Sequence, residues 1–311
     1  MKINRRGYET LLSADEKILF LVAGSIFVFD ISGEKAVELK RFNDLKNPDN
    51  IAVSTDGRLI AYSNTSGHIA VHDLESGELL AKSKCTSREG DGLFFISNDK
   101  QILSSDWDGN VFILDIEGGG FSVIRSLSHF PLISLIGENK FIATDYLSGE
   151  YGMFRLSIGE DITWNKLCAI PSYRVKNRGQ VVLNGKVFFW AEPLQGNVQD
   201  LAVYAFASDV LCFNMETKEL SVCILLDELL KLYPKYRGDY FACMCIGRDG
   251  KTLLLGTNKE IIGIDLAEKK LLGIREVKYL SSLHFMASDA KVLIGTWEHV
   301  EIVDFDTLFQ P

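Results

Sequence analysis

The sequence predicts an all-β fold, a seven-bladed β-propeller of four-stranded antiparallel blades in a ring that the N-terminal strand closes. Three observations predict it: one turn-and-strand pattern recurs along the chain, its copies are spaced by about 40 residues, and the last copy lacks room for its final strand. We therefore expect a single propeller domain over residues 1–311.

The repeat is clearest over residues 54–80. There Ser54–Arg58 makes a tight turn containing Asp-Gly, Leu59–Tyr62 is an apolar strand, Thr65–Gly67 is a second turn, and His68–Leu74 is a strand that closes on an aspartate. Asp-Gly and Ser-Gly between short apolar runs are hairpin signals, because glycine accepts the positive φ that such turns require.

The copies can be counted at the residue that ends the third strand of each unit. These residues are Asp30, Asp73, Asp115, Arg155, Asn214, Asp265 and Asp304, with separations of 43, 42, 40, 59, 51 and 39 by subtraction. Seven such positions predict seven blades, since each blade buries its faces only against its neighbours. The predicted blades cover roughly 7–40, 50–84, 92–127, 131–170, 179–225, 240–277, and 280–311 together with 2–6.

The two ends of the chain indicate how the ring closes. The seventh unit stops at Val300–Pro311, which leaves almost no chain for an outermost strand. We expect Lys2–Arg6 to supply that strand and Tyr8–Leu12 to begin the first blade. Such a closure removes an exposed sheet edge.

The segment Ser54–Leu80 resembles the WD-repeat pattern of a serine, an aspartate-glycine turn, a strand, a second turn and a strand ending in Trp-Asp. The chain is thus similar to the WD-repeat-like (quinoprotein/YVTN-like) family of seven-bladed propellers. The position of the family's tryptophan holds other residues here: Phe29, His72, Leu114, Phe154, Phe213, Ile264 and Val303.

The acidic composition of the chain excludes two classes of partner. A net charge of -9 and a pI near 5.2 argue against nucleic acid and anionic membrane, which would favour a basic surface. The N-terminus lacks an apolar signal-peptide run, and we expect a cytoplasmic chain with no membrane span. The cysteines are sparse for this length and are interpreted as reduced core residues: Cys85, Cys168, Cys212, Cys223, Cys243 and Cys245.

Two insertions enlarge the fifth unit. The first is Ala191–Asp200, with Leu201–Phe206 adding strand, and the second is Leu225–Asp239. The second has apolar residues at helical spacing, with Asp227 as the expected N-cap and Pro234 as the stop. Turns between second and third strands open on the same propeller face as the connections between blades. We therefore expect both insertions to project on one face.

Large aromatic residues fall at the same turns and predict a binding rim on that face. The basic run Arg174–Arg178 belongs to it as a site for an acidic segment or phosphate, with a solvated loop as the alternative. The predicted rim is Trp107, Asp106, Asp108, Tyr146, Trp190, Glu192, Trp297, Glu298, His299, Arg174, Lys176 and Arg178. A strand-end aromatic can instead pack between blades, and Asp106–Gly109 is interpreted as a side-chain-capped turn rather than a calcium loop.

No common catalytic motif is present, and we predict no catalytic residue, metal site or cofactor. Cys243 and Cys245 share one face of a strand but have no further ligands nearby, so core packing is the favoured interpretation. The leading hypothesis is a non-enzymatic scaffold that binds a protein or peptide. The alternative is a propeller enzyme or small-ligand binder, such as a lactonase-like hydrolase, with carboxylates or a metal in the central channel. Oligomeric state is left open.

Overall fold

The structure is a computed structural model, and it describes residues 1–86, 90–118, 120–126, 132–147, 150–175, 179–193, 209–235, 241–286 and 289–310. Over these residues the strands form seven antiparallel sheets, the blades of a β-propeller. The predicted fold class is confirmed.

Blades one to six each run from an inner to an outer strand in chain order. Blades one to three contain β2 (Glu9–Leu12), β3 (Ile18–Val22), β4 (Ile26–Asp30), β5 (Val37–Phe42), β6 (Pro48–Val53), β7 (Leu59–Asn64), β8 (His68–Asp73), β9 (Leu79–Lys84), β10 (Gly90–Ile96), β11 (Gln101–Asp106), β12 (Asn110–Asp115) and β13 (Phe121–Ser126). Blades four and five contain β14 (Leu132–Gly137), β15 (Lys140–Leu147), β16 (Glu150–Ile158), β17 (Ile162–Ile170), β18 (Tyr173–Val175), β19 (Val181–Leu183), β20 (Lys186–Pro193), β21 (Asp209–Asn214) and β22 (Leu220–Ile224).

Blades six and seven follow a helix, α1 (Leu226–Leu232). They contain β23 (Phe241–Ile246), β24 (Thr252–Thr257), β25 (Glu260–Asp265), β26 (Lys270–Glu276), β27 (Leu280–Phe285), β28 (Lys291–Thr296) and β29 (Val300–Asp304). The seventh sheet has the order β1-β29-β28-β27, so β1 (Lys2–Ile3) supplies its outer strand as predicted. Blade five is the exception to four strands, because β18 and β19 both pair with β20.

The chain divides into two compact units. The first contains Met1–Leu147 and Phe154–Asn165, and the second contains Ser148–Met153 and Lys166–Pro311. The contacts described below lie within one unit or the other.

The core of each unit lies between neighbouring blades. Side chains alternate along a strand, so one strand serves two cores. On β7, Ile60 and Tyr62 pack against blade one, whereas Ala61 packs against blade three. The same division repeats between blades three and four, five and six, and six and seven. Each blade is therefore stabilised by its neighbours through nearly uninterrupted apolar strands.

Polar side chains close the turn between the second and third strands of several blades. Asp106 is 1% exposed and accepts hydrogen bonds from the Asn110 backbone N–H at 2.8 Å and from Asn110 Nδ2 at 3.0 Å. Thr296 Oγ1 accepts from the backbone N–H groups of Glu298 and His299 at 3.1 and 3.0 Å. Asn64 and Thr257 do the same in their blades. The expectation that Asp106 belongs to an exposed rim is wrong, since its carboxylate is buried as a turn cap; the alternative interpretation as a capped turn is confirmed.

Most of the aspartates used to count the repeats cap the turn between the third and fourth strands of their blades. Asp73 Oδ1 accepts from the Ser76 backbone N–H at 2.7 Å and from the Ser76 hydroxyl at 2.9 Å. These hydrogen bonds hold the pKa of the Asp73 carboxyl below its usual value. Asp30, Asp115, Asn214 and Asp265 make equivalent bonds, which is why the repeat is visible at these positions.

We expect Asp106→Ala to lower the free energy of unfolding by about 1–3 kcal/mol, because two donors of Asn110 lose their acceptor in a buried position. The control is Asp108→Ala at the exposed position of the same turn, which should change stability by less than about 0.5 kcal/mol. Urea denaturation measures both. Equal effects of the two substitutions would show that the carboxylate of Asp106 is not the turn's cap.

Candidate functional site

Three predicted rim residues lie in the first unit, Trp107 and Asp108 in a turn and Tyr146 near the end of β15. Trp107 is 50% exposed and follows the Asp106 cap directly, and Asp108 beside it is also exposed. Tyr146 is half-buried, and its backbone N–H donates to Asp145 Oδ1 at 2.7 Å. Trp107 therefore presents a large apolar surface from a turn that is itself fixed.

Trp190 does not lie on the predicted rim. Its side chain is 1% exposed and belongs to the apolar cluster between blades five and six. Gly179 lies so close that a Cβ there would come within 2.3 Å of Trp190 Nε1. The prediction of a rim position for this ring is wrong, because the indole is buried in the apolar cluster between blades five and six.

The basic run is only partly described. Arg174 is exposed on β18 and lies opposite Glu192 on β20 in the strand register. Opposite charges at directly facing positions favour strand pairing. Lys176, Arg178 and residues 194–206 of the first insertion lie outside the described residues. The binding role predicted for Arg174 and Glu192 stays a prediction.

Among the described residues of the second unit, the most accessible aromatic surface is a pair of stacked rings. Trp297 is 53% exposed and Tyr279 is 55% exposed, with ring centroids 5.7 Å apart and planes inclined by 21°. Trp297 lies directly after the Thr296 turn cap, and Tyr279 lies in the connection between blades six and seven. The stacked pair Tyr279–Trp297 is the candidate functional site.

Backbone hydrogen bonds fix this pair. The Tyr279 N–H donates to the Asn258 carbonyl at 2.8 Å, and the Trp297 N–H donates to the Tyr279 carbonyl at 3.1 Å. Val277 N–H adds a bond of 2.7 Å to the Lys259 carbonyl. The connection is thus joined to the second-to-third-strand turns of both blades that it links.

Tyr279 has an unusual backbone conformation, with φ of 56°. A left-handed conformation costs an L-residue other than glycine or asparagine about 1–2 kcal/mol. Asn47 occupies the equivalent position between blades one and two: it also precedes an inner strand, has φ of 51°, and accepts a hydrogen bond from the Thr65 N–H as Tyr279 does from Trp297. The backbone at this position thus suits asparagine, and the tyrosine is a departure from what the fold requires.

Charged side chains adjoin the aromatic pair in sequence and in the bonded turns. Lys278, Lys259 and Glu298 are exposed. His299 is partly buried, with Nε2 3.9 Å from Glu301 Oε1. Exposed charged residues of both signs therefore lie next to both rings in sequence or in the turn bonded to Tyr279.

Helix α1 occupies the second insertion and was predicted from its apolar spacing. It packs into the cluster between blades five and six, with Leu229 1% exposed. Asp227 is not its cap; instead the buried Asp209 accepts from the Leu226 N–H at 2.5 Å, and its other oxygen accepts from the Tyr173 hydroxyl at 3.0 Å. The described part of this insertion therefore fills the core, contrary to the expectation that it projects as part of a binding face.

Burial shifts the pKa of both groups at this helix start. It raises the pKa of the Asp209 carboxyl, against the lowering effect of the Leu226 N–H and the Tyr173 hydroxyl. Burial, together with the charge of Asp209, raises the pKa of Tyr173 to about 12. The sequence did not single out Asp209, which lies 17 residues before the N–H that it caps.

Two features are absent from the described residues. No group of three or more His, Cys, Asp or Glu side chains is placed to hold a metal ion. Among the described helices, none has the length and apolar character needed to cross a membrane.

Comparison with known proteins identifies the fold. No family model and no curated protein matches the sequence. Among solved structures, the chain is similar to Kuenenia stuttgartiensis Hydrazine Synthase, with a TM-score of 0.72 and 13% identity over 97% of this chain and 96% of that chain. At this identity the likeness shows the propeller fold alone.

We expect the parent chain to gain stability over the Asp209→Asn variant as the pH falls from 7 to about 4. The quantity that rises is the free energy of unfolding of the parent chain minus that of the variant. With its pKa raised in the folded state, Asp209 takes up a proton on folding between that pKa and its ordinary value of 3.8. Its contribution is therefore fully present below 3.8 and is lost as the pH rises through the folded pKa, whereas asparagine does not titrate.

Urea denaturation of both proteins across this pH range measures the difference. Glu216→Gln, at an exposed position of the same blade, is the matched control. A stability difference between Asp209→Asn and the parent chain that stays constant with pH would rule out a raised pKa at this carboxyl.

Proposed function

We propose that this propeller is a non-enzymatic scaffold that binds a protein or peptide through the Tyr279–Trp297 pair. The observation that carries the proposal is the placement of two half-exposed, stacked aromatic rings on a backbone conformation that suits asparagine. Nothing in the blade architecture requires either ring at these positions.

The pair has the properties of a preorganised binding surface. Tyrosine and tryptophan bury large apolar areas with few rotatable bonds, and they are enriched among residues that dominate binding energy. The hydrogen bonds of Tyr279 with Asn258 and Trp297 hold the connection in place before any partner arrives. Binding there would not have to order the backbone, which favours affinity.

The exposed charges around the pair suit a polypeptide partner. Lys259, Lys278 and Glu298 provide groups of both signs, which can pair with side chains at the edge of an interface. The resemblance of Ser54–Leu80 to the WD-repeat pattern also supports an interaction role.

Trp107 and Asp108 belong to the proposal as a second exposed surface in the first unit. The role of the remaining exposed or half-buried rim residues also stays within the proposal: Tyr146, Arg174, Glu192, Glu298 and His299. Trp190 and Asp106 are left out because both are buried.

We expect Tyr279→Asn combined with Trp297→Asn to weaken partner binding by about 30-fold or more, the loss that corresponds to about 2 kcal/mol at a binding hot spot. Asparagine is chosen because Asn47 and Asn258 occupy the equivalent positions in other blades. The partner is isolated by affinity purification with the tagged chain from its native cell extract. Its affinity is then measured by calorimetry with the purified pair.

The single variant Tyr279→Asn separates an effect on binding from an effect on folding. Tyr279→Asn alone should leave the free energy of unfolding unchanged or raise it by up to about 1 kcal/mol, since asparagine adopts positive φ more readily. Phe121→Ala, which removes another exposed aromatic ring on an outer strand, should leave the affinity unchanged. A partner that binds the double variant as tightly as the parent chain would refute the proposal. Purification with a stoichiometric metal or small ligand and no polypeptide would favour the channel-based enzyme.

A further inference from the structure

A β-bulge in the outer strand of blade five brings two cysteines together. In the register of β21 and β22, Val210 is opposite Ile224 and Leu211 is opposite Val222, which leaves Cys223 as the extra residue. In a regular strand, Cys223 and Ile224 would point to opposite faces. Here Cys223 packs against the same apolar cluster that contains Cys212 and Ile224. The bulge therefore places both thiols on one face of neighbouring strands.

The two thiols belong to the same apolar cluster, and neither forms a disulfide in this structure. Interaction with the neighbouring Cys223 thiol lowers the pKa of Cys212, and the same interaction raises the pKa of Cys223. The charge of Lys186 also favours the thiolate of Cys212. Cys85 contrasts with this pair, since burial raises its pKa to about 11.

Access differs between the two sulfur positions. Cys212 is 6% exposed, while Cys223 is partly exposed on the outer strand. The exposed side of Cys223 admits small reagents such as hydrogen peroxide or a monothiol, whereas a disulfide on another protein meets the packed core. This favours hydrogen peroxide over a protein disulfide as the oxidant.

We propose that Cys212 and Cys223 are a reversible redox site that hydrogen peroxide converts to an intramolecular disulfide. The Cys212 thiolate attacks one peroxide oxygen, the O–O bond breaks, and hydroxide leaves to give a sulfenic acid. The Cys223 thiol then attacks the Cys212 sulfur, the S–O bond breaks, and the leaving hydroxide departs as water. With the first hydroxide protonated, two thiols and one peroxide give one disulfide and two waters. Two molecules of a monothiol reductant reverse the oxidation and become a disulfide themselves.

The site lies where the two enlargements of blade five join the repeat. Cys212 is three residues after Asp209, which caps the helix, and Cys223 is three residues before Leu226, where that helix begins. A disulfide would link β21 to β22 beside this cap. It would thereby tie the ends of both inserted segments through covalent bonds. This inference does not rest on the proposed partner binding.

The test treats the full-length reduced chain with a small molar excess of hydrogen peroxide, alkylates the remaining thiols and maps the peptides by mass spectrometry. We expect a linked peptide pair containing Cys212 and Cys223, a loss of two alkylated thiols per chain, and full recovery of both thiols after treatment with glutathione. The variant Cys223→Ser should instead accumulate a sulfenic acid at Cys212 that a dimedone probe captures. The matched control is Cys168→Ser, which should form the Cys212–Cys223 link at the parent rate.

Three results would overturn the proposal. One is peroxide oxidation of the folded chain with no Cys212–Cys223 peptide. Another is labelling of Cys85 or Cys168 by the sulfenic-acid probe at least as fast as Cys212. The third is a link that glutathione fails to reduce. Circular dichroism before and after treatment confirms that the folded chain was tested, and the parent chain alone decides the outcome if a serine variant does not fold.

Discussion

Each blade of this propeller has two apolar faces, and the rest of the structure follows from the need to bury both. The alternation of side chains along a strand meets this need by dividing each strand between two cores. On β8, Ile69 and Val71 face blade three while Ala70 faces blade one. The middle of such a strand has little room for a polar or titratable group, because burial without partners is costly. Variation is consequently confined to strand ends, turns and blade connections.

Turn closure uses many of the polar residues at those strand ends. Asn64, Asp106, Thr257 and Thr296 all cap the turn that follows their strand. The residue directly after the cap is not needed to close the turn, since it differs between blades: Thr65, Trp107, Asn258 and Trp297. A position that accepts threonine and asparagine does not need an indole for folding. The two exposed tryptophans are therefore informative about function, whereas the acidic Asp106 beside one of them is informative about the fold.

The sequence predicted the features that depend on local periodicity. Asp30, Asp73, Asp115 and Asp265 recur because each closes a turn within its own blade. The spacing of Leu226, Leu229 and Leu230 predicted helix α1. Features fixed by residues distant in sequence could not be predicted in this way. The cap of α1 comes from Asp209, and the ring of Trp190 is buried against Gly179 and blade six. Tyr279 was missed because nothing in the spacing of the repeat marks a residue in a blade connection. Its left-handed backbone, shared with Asn47, is visible only in the structure.

Tyr279 also shows how a comparison between the blades of one chain distinguishes a candidate site from a structural position. A left-handed backbone that asparagine would occupy at lower cost holds a bulky ring, and the surrounding hydrogen bonds maintain it there. Its stacking partner Trp297 also lies at a position where other blades have small or polar residues. Each departure alone could result from local packing. Their meeting at one exposed surface, where both rings remain half accessible, is the observation on which the proposed partner binding rests.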